Sequence, residues 1–140
     1  MKEVLVSVKS IQRDTDGQDQ VVELVSPGTY GERNGVYYIL RYDESSVTGL
    51  EGVKTTIKVY PNSIVLVRTG AVTMRHEYIL GQERDIIYQT PFGDLAMSVT
   101  THELEVDAQE DRCSVHLGYD ISLEGQAQFY NQLDIEVREE

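Results

Sequence analysis

The stretch Thr29-Tyr30-Gly31-Glu32-Arg33-Asn34-Gly35-Val36-Tyr37-Tyr38-Ile39-Leu40 decides the fold. Asn34-Gly35 is the dipeptide that most readily places two successive residues at positive φ, which a two-residue hairpin turn requires. On either side lie β-branched and aromatic residues, which suit a pleated, half-buried surface. The segment therefore predicts two antiparallel strands joined by a tight turn.

The same grammar repeats along the chain. Asp16-Gly17, Pro61-Asn62, Gly70, Gly81-Gln82, Pro91-Phe92-Gly93 and Glu124-Gly125 part further short runs. Strands are expected over 3–12, 20–33, 36–44, 53–60, 63–69, 72–80, 84–90, 94–106, 112–123 and 126–138. Pro27-Gly28 predicts a bulge or bend in the second of these, where a ladder donor is missing. Ser45 to Gly52 reads as the one true loop. No long helical pattern intervenes. The expectation is an all-β fold: a single antiparallel barrel of about eight to ten strands over residues 1–140, with little or no helix.

Alternation sorts the faces. Val4, Val6 and Val8 share one parity, as do Met74, His76, Tyr78 and Leu80. Cys113, Val115, Leu117, Tyr119, Ile121 and Leu123 share another, followed by Phe129, Leu133, Ile135 and Val137. Two runs do not alternate, Val36 to Leu40 and Ile64 to Val67. Being apolar on both faces, they are either covered from outside or form a self-association surface through Tyr37, Ile39, Val65 and Val67.

Charge narrows the partners. The 140 residues carry 12 Lys+Arg against 24 Asp+Glu, a formal net charge of −12. Such a chain repels phosphate backbones and anionic lipid, and its basic residues are not gathered in sequence, so no nucleic-acid partner is expected. No apolar segment approaches the roughly 18 residues of a spanning helix, so no membrane partner is expected either. The first residues carry no secretory pattern, and the expected location is cytoplasmic. A lone Cys113 allows no intrachain disulfide.

Several local signatures together resemble the YwiB-like family of small uncharacterised bacterial proteins. They are Tyr42-Asp43-Glu44, Lys54-Thr55-Thr56-Ile57-Lys58, Arg68-Thr69-Gly70, Tyr88-Gln89-Thr90-Pro91-Phe92-Gly93-Asp94-Leu95 and Asn131-Gln132-Leu133-Asp134-Ile135. The Thr-Pro-aromatic-Gly turn is the most specific of them. The resemblance implies a calycin-like, lipocalin-type barrel and carries no activity or site with it. Lipocalins proper usually have a Trp in the first strand. This chain has none, so ligand transport follows only by analogy of fold.

Catalytic patterns are weak. His76, His102 and His116 lie on separate strands and opposite parities, with no pair spaced to share a metal. Asp14-Thr15-Asp16-Gly17 lacks the later acids of a calcium loop and reads as a turn. Cys113 sits on an apolar parity, unlike an activated thiolate. Gly49-Leu50-Glu51-Gly52 has neither the Lys of a P-loop nor the third Gly of a dinucleotide site. The acids of Glu103 to Asp111 and Glu136 to Glu140 read as a solvated surface. The sequence points away from an enzyme and calls for no cofactor or metal.

What remains is a lumen. Arg68 shares parity with Ile64 and Leu66, which aims a guanidinium into the barrel. An inward cation needs a counter-charge, water or an anionic ligand. The candidate ligand-binding residues are Arg68, Tyr38, Tyr42, His76, Tyr78 and Tyr88, with Tyr60 a weaker member. They would hold a small, anionic, amphipathic molecule. Two alternatives stand beside this: an Arg68 salt bridge to Glu77 or Asp43 within a filled core, and a homodimer that binds no small molecule.

Overall fold

The computed structural model describes residues 1–14, 16–41, 52–123 and 127–139, the side chains at 40, 41, 127 and 128 excepted. Ten strands follow one another: β1 (Lys2–Arg13), β2 (Asp19–Arg33), β3 (Val36–Arg41), β4 (Val53–Val59) and β5 (Ser63–Gly70), then β6 (Met74–Ile79), β7 (Glu83–Thr90), β8 (Gly93–Ala108), β9 (Arg112–Leu123) and β10 (Ala127–Glu139). They form one sheet in the order β6-β5-β4-β3-β2-β1-β10-β9-β8-β7, with every neighbouring pair antiparallel. No helix occurs among the described residues.

The sheet curls until its two ends meet. Thr73 and Gln89 exchange backbone hydrogen bonds of 2.9 Å at one end of the β6/β7 seam. At the other end the chain itself passes from β6 to β7 through a tight turn in which Gln82 N donates to Ile79 O at 3.0 Å. Arg84 of β7 reaches Glu77 of β6 at 3.3 Å across the same seam. The product is a nearly closed β-barrel, with β6 and β7 meeting along a seam bridged by the Thr73–Gln89 pair rather than by a continuous ladder.

The turns behave as their residues dictate. Asn34 and Gly35 have φ of 56° and 81°, the two positive values that the hairpin demands. Asp14 Oδ1 accepts from the backbone N–H groups of Asp16 and Gln18 at 2.9 and 3.0 Å, so this carboxylate serves the β1–β2 turn. Pro27-Gly28 makes no bulge toward β1, because Leu5↔Pro27 and Val4↔Gly28 continue the register unbroken. The irregularity lies in β8 instead, between Thr101 and Glu103 opposite β9. One extra residue there flips the inward parity from Met97 and Val99 to Leu104, Val106 and Ala108.

One end of the barrel is packed shut. Tyr30 is fully buried, stacks on Tyr37 at 5.5 Å, and donates its hydroxyl to Gln109 O at 2.6 Å. Val4, Val6, Ile39, Val59, Ile64, Val115 and Val137 belong to the same core cluster. Cys113 joins them as a core residue, and burial pushes its thiol up to about 11, out of reach of reactivity at neutral pH.

The self-association surface expected through Tyr37, Ile39, Val65 and Val67 needs correcting. Ile39 is 0% exposed and points into the core, since its register partners Tyr30 and Ile57 do so. Val65 is only 1% exposed, so it too is covered within this chain. Both residues are apolar because the chain buries them on opposite faces of the barrel wall. Neither offers a surface to a partner.

Candidate functional site

The site begins with register. On β4, β5 and β6 the inward sets are Thr55 and Ile57, then Leu66 and Arg68, then Met74, His76 and Tyr78. Thr55 stands opposite Arg68, Leu66 opposite His76 and Arg68 opposite Met74. On the far side of the seam, Ile86 and Tyr88 of β7 share their face with Met97 and Leu95 of β8. Tyr119 of β9 enters from the next strand, paired with Thr101.

These elements enclose a cavity of about 240 Å³. Arg68, Met74, Tyr78, Tyr88 and Tyr119 line one side of it. Val8, Ser10, Val22, Leu24, Leu133 and Ile135 line the opposite wall, contributed by β1, β2 and β10. Among the described residues the lining holds one guanidinium, three phenols, one serine and no carboxylate. Everything else is aliphatic or thioether.

The electrostatics follow from burial. The Tyr78 and Tyr119 rings meet at 4.9 Å, tilted by 52°. Burial drives the Tyr78 hydroxyl well above the ordinary phenol range, the Tyr119 hydroxyl beside it adds to the rise, and Arg68 pulls partly back. Burial raises Tyr119 as well, against the opposing pull of Tyr78 and Arg68. Both phenols therefore stay protonated at neutral pH, with the Tyr78 O–H donated to the Tyr119 hydroxyl. Arg68 is engaged within the fold besides lining the cavity.

Three of the six residues expected at the site, Arg68, Tyr78 and Tyr88, border the cavity together. His76 is buried beside them but does not line it. Its ring packs edge-on against Tyr78, its Nδ1 has no hydrogen-bond partner among the described residues, and burial, with the nearby Arg84, pushes its pKa down to about 4.

Tyr38 does not join them. Its neighbours Ile39 and Tyr37 take the inward side, and Tyr38 stands outside, with the Lys58 ammonium 5.9 Å from its ring. Tyr60 follows β4 at the packed end, where its N–H donates to Ser63 O at 3.0 Å. Tyr42 lies outside the described residues, as does Asp43. Glu77, the other counter-charge considered for Arg68, pairs with Arg84. Tyr119 lines the cavity without belonging to the six residues expected there, and its parity with Leu117 and Ile121 is the sequence signal that places it inward.

A second polar cluster sits on the outer wall. His116 Nδ1 lies 2.6 Å from Asp134 and its Nε2 lies 2.8 Å from Glu103, tying β9 to both neighbours. Hydrogen bonds to the two carboxylates, Glu103 first, raise its pKa. Its place beside Glu103 depends on the β8 bulge and on Gly118, where a Cβ would stand 2.8 Å from Glu103 Oε2. His102 pairs with Asp120 at 2.6 Å nearby. Among the described residues no three His, Cys, Asp or Glu side chains are arranged to hold a metal ion.

A family model for a domain of unknown function, DUF1934, matches residues 6–135. The chain belongs to the DUF1934 family. This DUF1934 chain is similar to the uncharacterized β-barrel protein YwiB of Bacillus subtilis (strain 168). The two are 26% identical over 132 residues, spanning 94% of this chain and 90% of that protein. Its fold matches the crystal structure of the ywiB protein from Bacillus subtilis with a TM-score of 0.81 at 25% identity, covering 96% of this chain and 91% of that one. The YwiB-like resemblance carried by the Thr90-Pro91-Phe92-Gly93 turn and its companions is thus a family relationship, and the β-barrel is common to this chain and YwiB.

Proposed function

We propose that this barrel is a non-enzymatic binder of a small, anionic, amphipathic molecule held in the lumen. One observation carries the reading: Arg68, Tyr78, Tyr88 and Tyr119 converge on a single, otherwise apolar cavity. A concave, largely apolar site with a few converging polar groups is the usual form of a small-molecule site. A guanidinium inside low-dielectric walls attracts an acidic group far more strongly than it would in water. The surface charge of −12 acts mainly at long range and is screened beyond about 8 Å at physiological salt. In this reading the barrel is calycin-like in use as well as in form. It works, in this reading, in the cytoplasm, whose reducing conditions suit a lone free thiol at Cys113.

Native mass spectrometry of gently purified protein, compared with the same sample denatured, tests this. An added mass that leaves on denaturation, and is lost in Arg68→Met, is the expected result. A bare chain that takes up no organic acid overturns it.

The homodimer is the second reading. It now rests on Val21 and Val25, exposed on the outer face of β2. A doubled mass in the same spectra, abolished by Val25→Lys, favours it.

A further inference from the structure

We propose that the lumen selects a single-ring organic acid, a carboxylate of the benzoate or phenylacetate kind, over acyl chains of fatty-acid length. This rests on the binder reading above and narrows it to a ligand class.

Size is the first argument. A cavity of about 150 Å³ suffices for benzene, whereas drug-sized ligands occupy roughly 300–1,000 Å³. The 240 Å³ here lies between, room for one ring with a carboxylate and a small substituent. Ten methylenes or more need a longer channel. The packed end denies that channel, since Tyr30 and Tyr37 fill the barrel there.

Shape is the second. The cavity runs across the barrel, from Arg68 and Met74 on one wall to Val22, Leu24 and Leu133 on the other. A ligand anchored at Arg68 therefore faces the aliphatic wall of β1, β2 and β10 across the cavity.

The wall chemistry is the third. Tyr78 and Tyr119 present two rings tilted at 52°, and aromatic groups pack well in offset or edge-to-face pairs. Met74 and Met97 supply adaptable thioethers around them. His76 braces Tyr78 from behind at 84°, so that ring is not free to swing aside for a bulkier chain. The Tyr78 O–H is held by the Tyr119 hydroxyl, so the Tyr119 O–H and the Arg68 guanidinium, itself engaged within the fold, are the donors a carboxylate meets in the described lining.

Calorimetric titration of the ligand-stripped protein with benzoate, phenylacetate, benzyl alcohol and decanoate tests the assignment. Benzoate or phenylacetate should bind about tenfold or more tightly than benzyl alcohol, the scale of a charge-assisted hydrogen bond. It should also bind about tenfold more tightly than decanoate, and Arg68→Met should bring it down to the level of the alcohol. The alcohol comparison uses the unmutated chain, so the test survives if Arg68→Met does not fold. Decanoate binding as tightly as the ring acids overturns the ring selection and leaves an acid-binding lumen. Benzyl alcohol matching benzoate overturns the part given to Arg68. Failure of all four on folded protein overturns both the ring selection and the binder reading.

Discussion

The His76 ring stands edge-on to Tyr78, with centroids 4.4 Å apart and planes at 84°, while its Nδ1 finds no partner among the described residues. The imidazole is held neutral because burial, aided by Arg84, opposes its charging and sets its pKa at about 4. In the unfolded chain the same ring titrates near 6.5. The stability that follows is present above pH 6.5 and is lost as pH falls toward 4, because only the unfolded chain takes the proton in that window. The full difference is on the order of 3 kcal/mol.

His76→Leu should therefore flatten the acid arm of the stability curve between pH 6.5 and 4, while leaving stability at pH 7 within about 1 kcal/mol of the parent. Urea unfolding at pH 7, 5.5 and 4 reads this. Equal acid sensitivity in variant and parent would show that His76 is not the responsible group.

His116 has the opposite sign. Both carboxylates favour the protonated ring, so its folded pKa lies above the ordinary 6.5. Its contribution is complete below pH 6.5 and is lost as pH rises through the raised value. Since Glu103 and Asp134 are well exposed, the effect is discounted to about 1 kcal/mol. His116→Gln should lose less stability than the parent between pH 6 and pH 9 in chemical denaturation.

Val65→Lys should unfold the protein rather than dissociate a dimer. Val65 is covered within its own chain, so the new ammonium is forced into an apolar site at a cost of several kcal/mol. Val25→Lys, on the exposed outer face of β2, should stay within about 0.5 kcal/mol of the parent. Paired thermal melts and light scattering distinguish a folding defect from a lost interface.

Gly70 closes β5 at φ +105°, and a Cβ there would collide with the Gly52 carbonyl oxygen. Conformation and space both forbid a side chain. Gly70→Ala should cost more than about 1 kcal/mol, above the ordinary penalty for alanine at positive φ. Gly17→Ala, with φ +78° but nothing within 4 Å, isolates the conformational part. Melting temperatures of the two variants should differ, with Gly70→Ala the lower.

Where alternation was clean, faces were legible. Met74, His76 and Tyr78 point inward as their spacing says, and so does Arg68, because β5 keeps the parity of Ile64 and Leu66. Tyr38 stands outside, against its expected place in the lumen, for the converse reason. In Val36 to Leu40 every residue is apolar or aromatic, so nothing in the run marks its inward side. Only pairing with Lys58 and the burial of Ile39 settle it. The β8 bulge left a trace, since the apolar residues shift from Met97 and Val99 to Leu104 and Val106, but a shift of parity does not say which residue is extra.

The sequence by itself determined the number of strands, the turns that join them and the inward aim of Arg68. Each depends on a few adjacent residues: a positive φ at Asn34 and Gly35, a period of two, a parity shared with Ile64. Tertiary structure alone decided that Arg68 meets Tyr78, Tyr88 and Tyr119 around a space left unfilled, while Tyr30 and Tyr37 fill the other end. A cavity is the volume remaining after side chains from β1 through β10 have packed. That remainder is a sum over residues far apart in the chain, so no local pattern carries it.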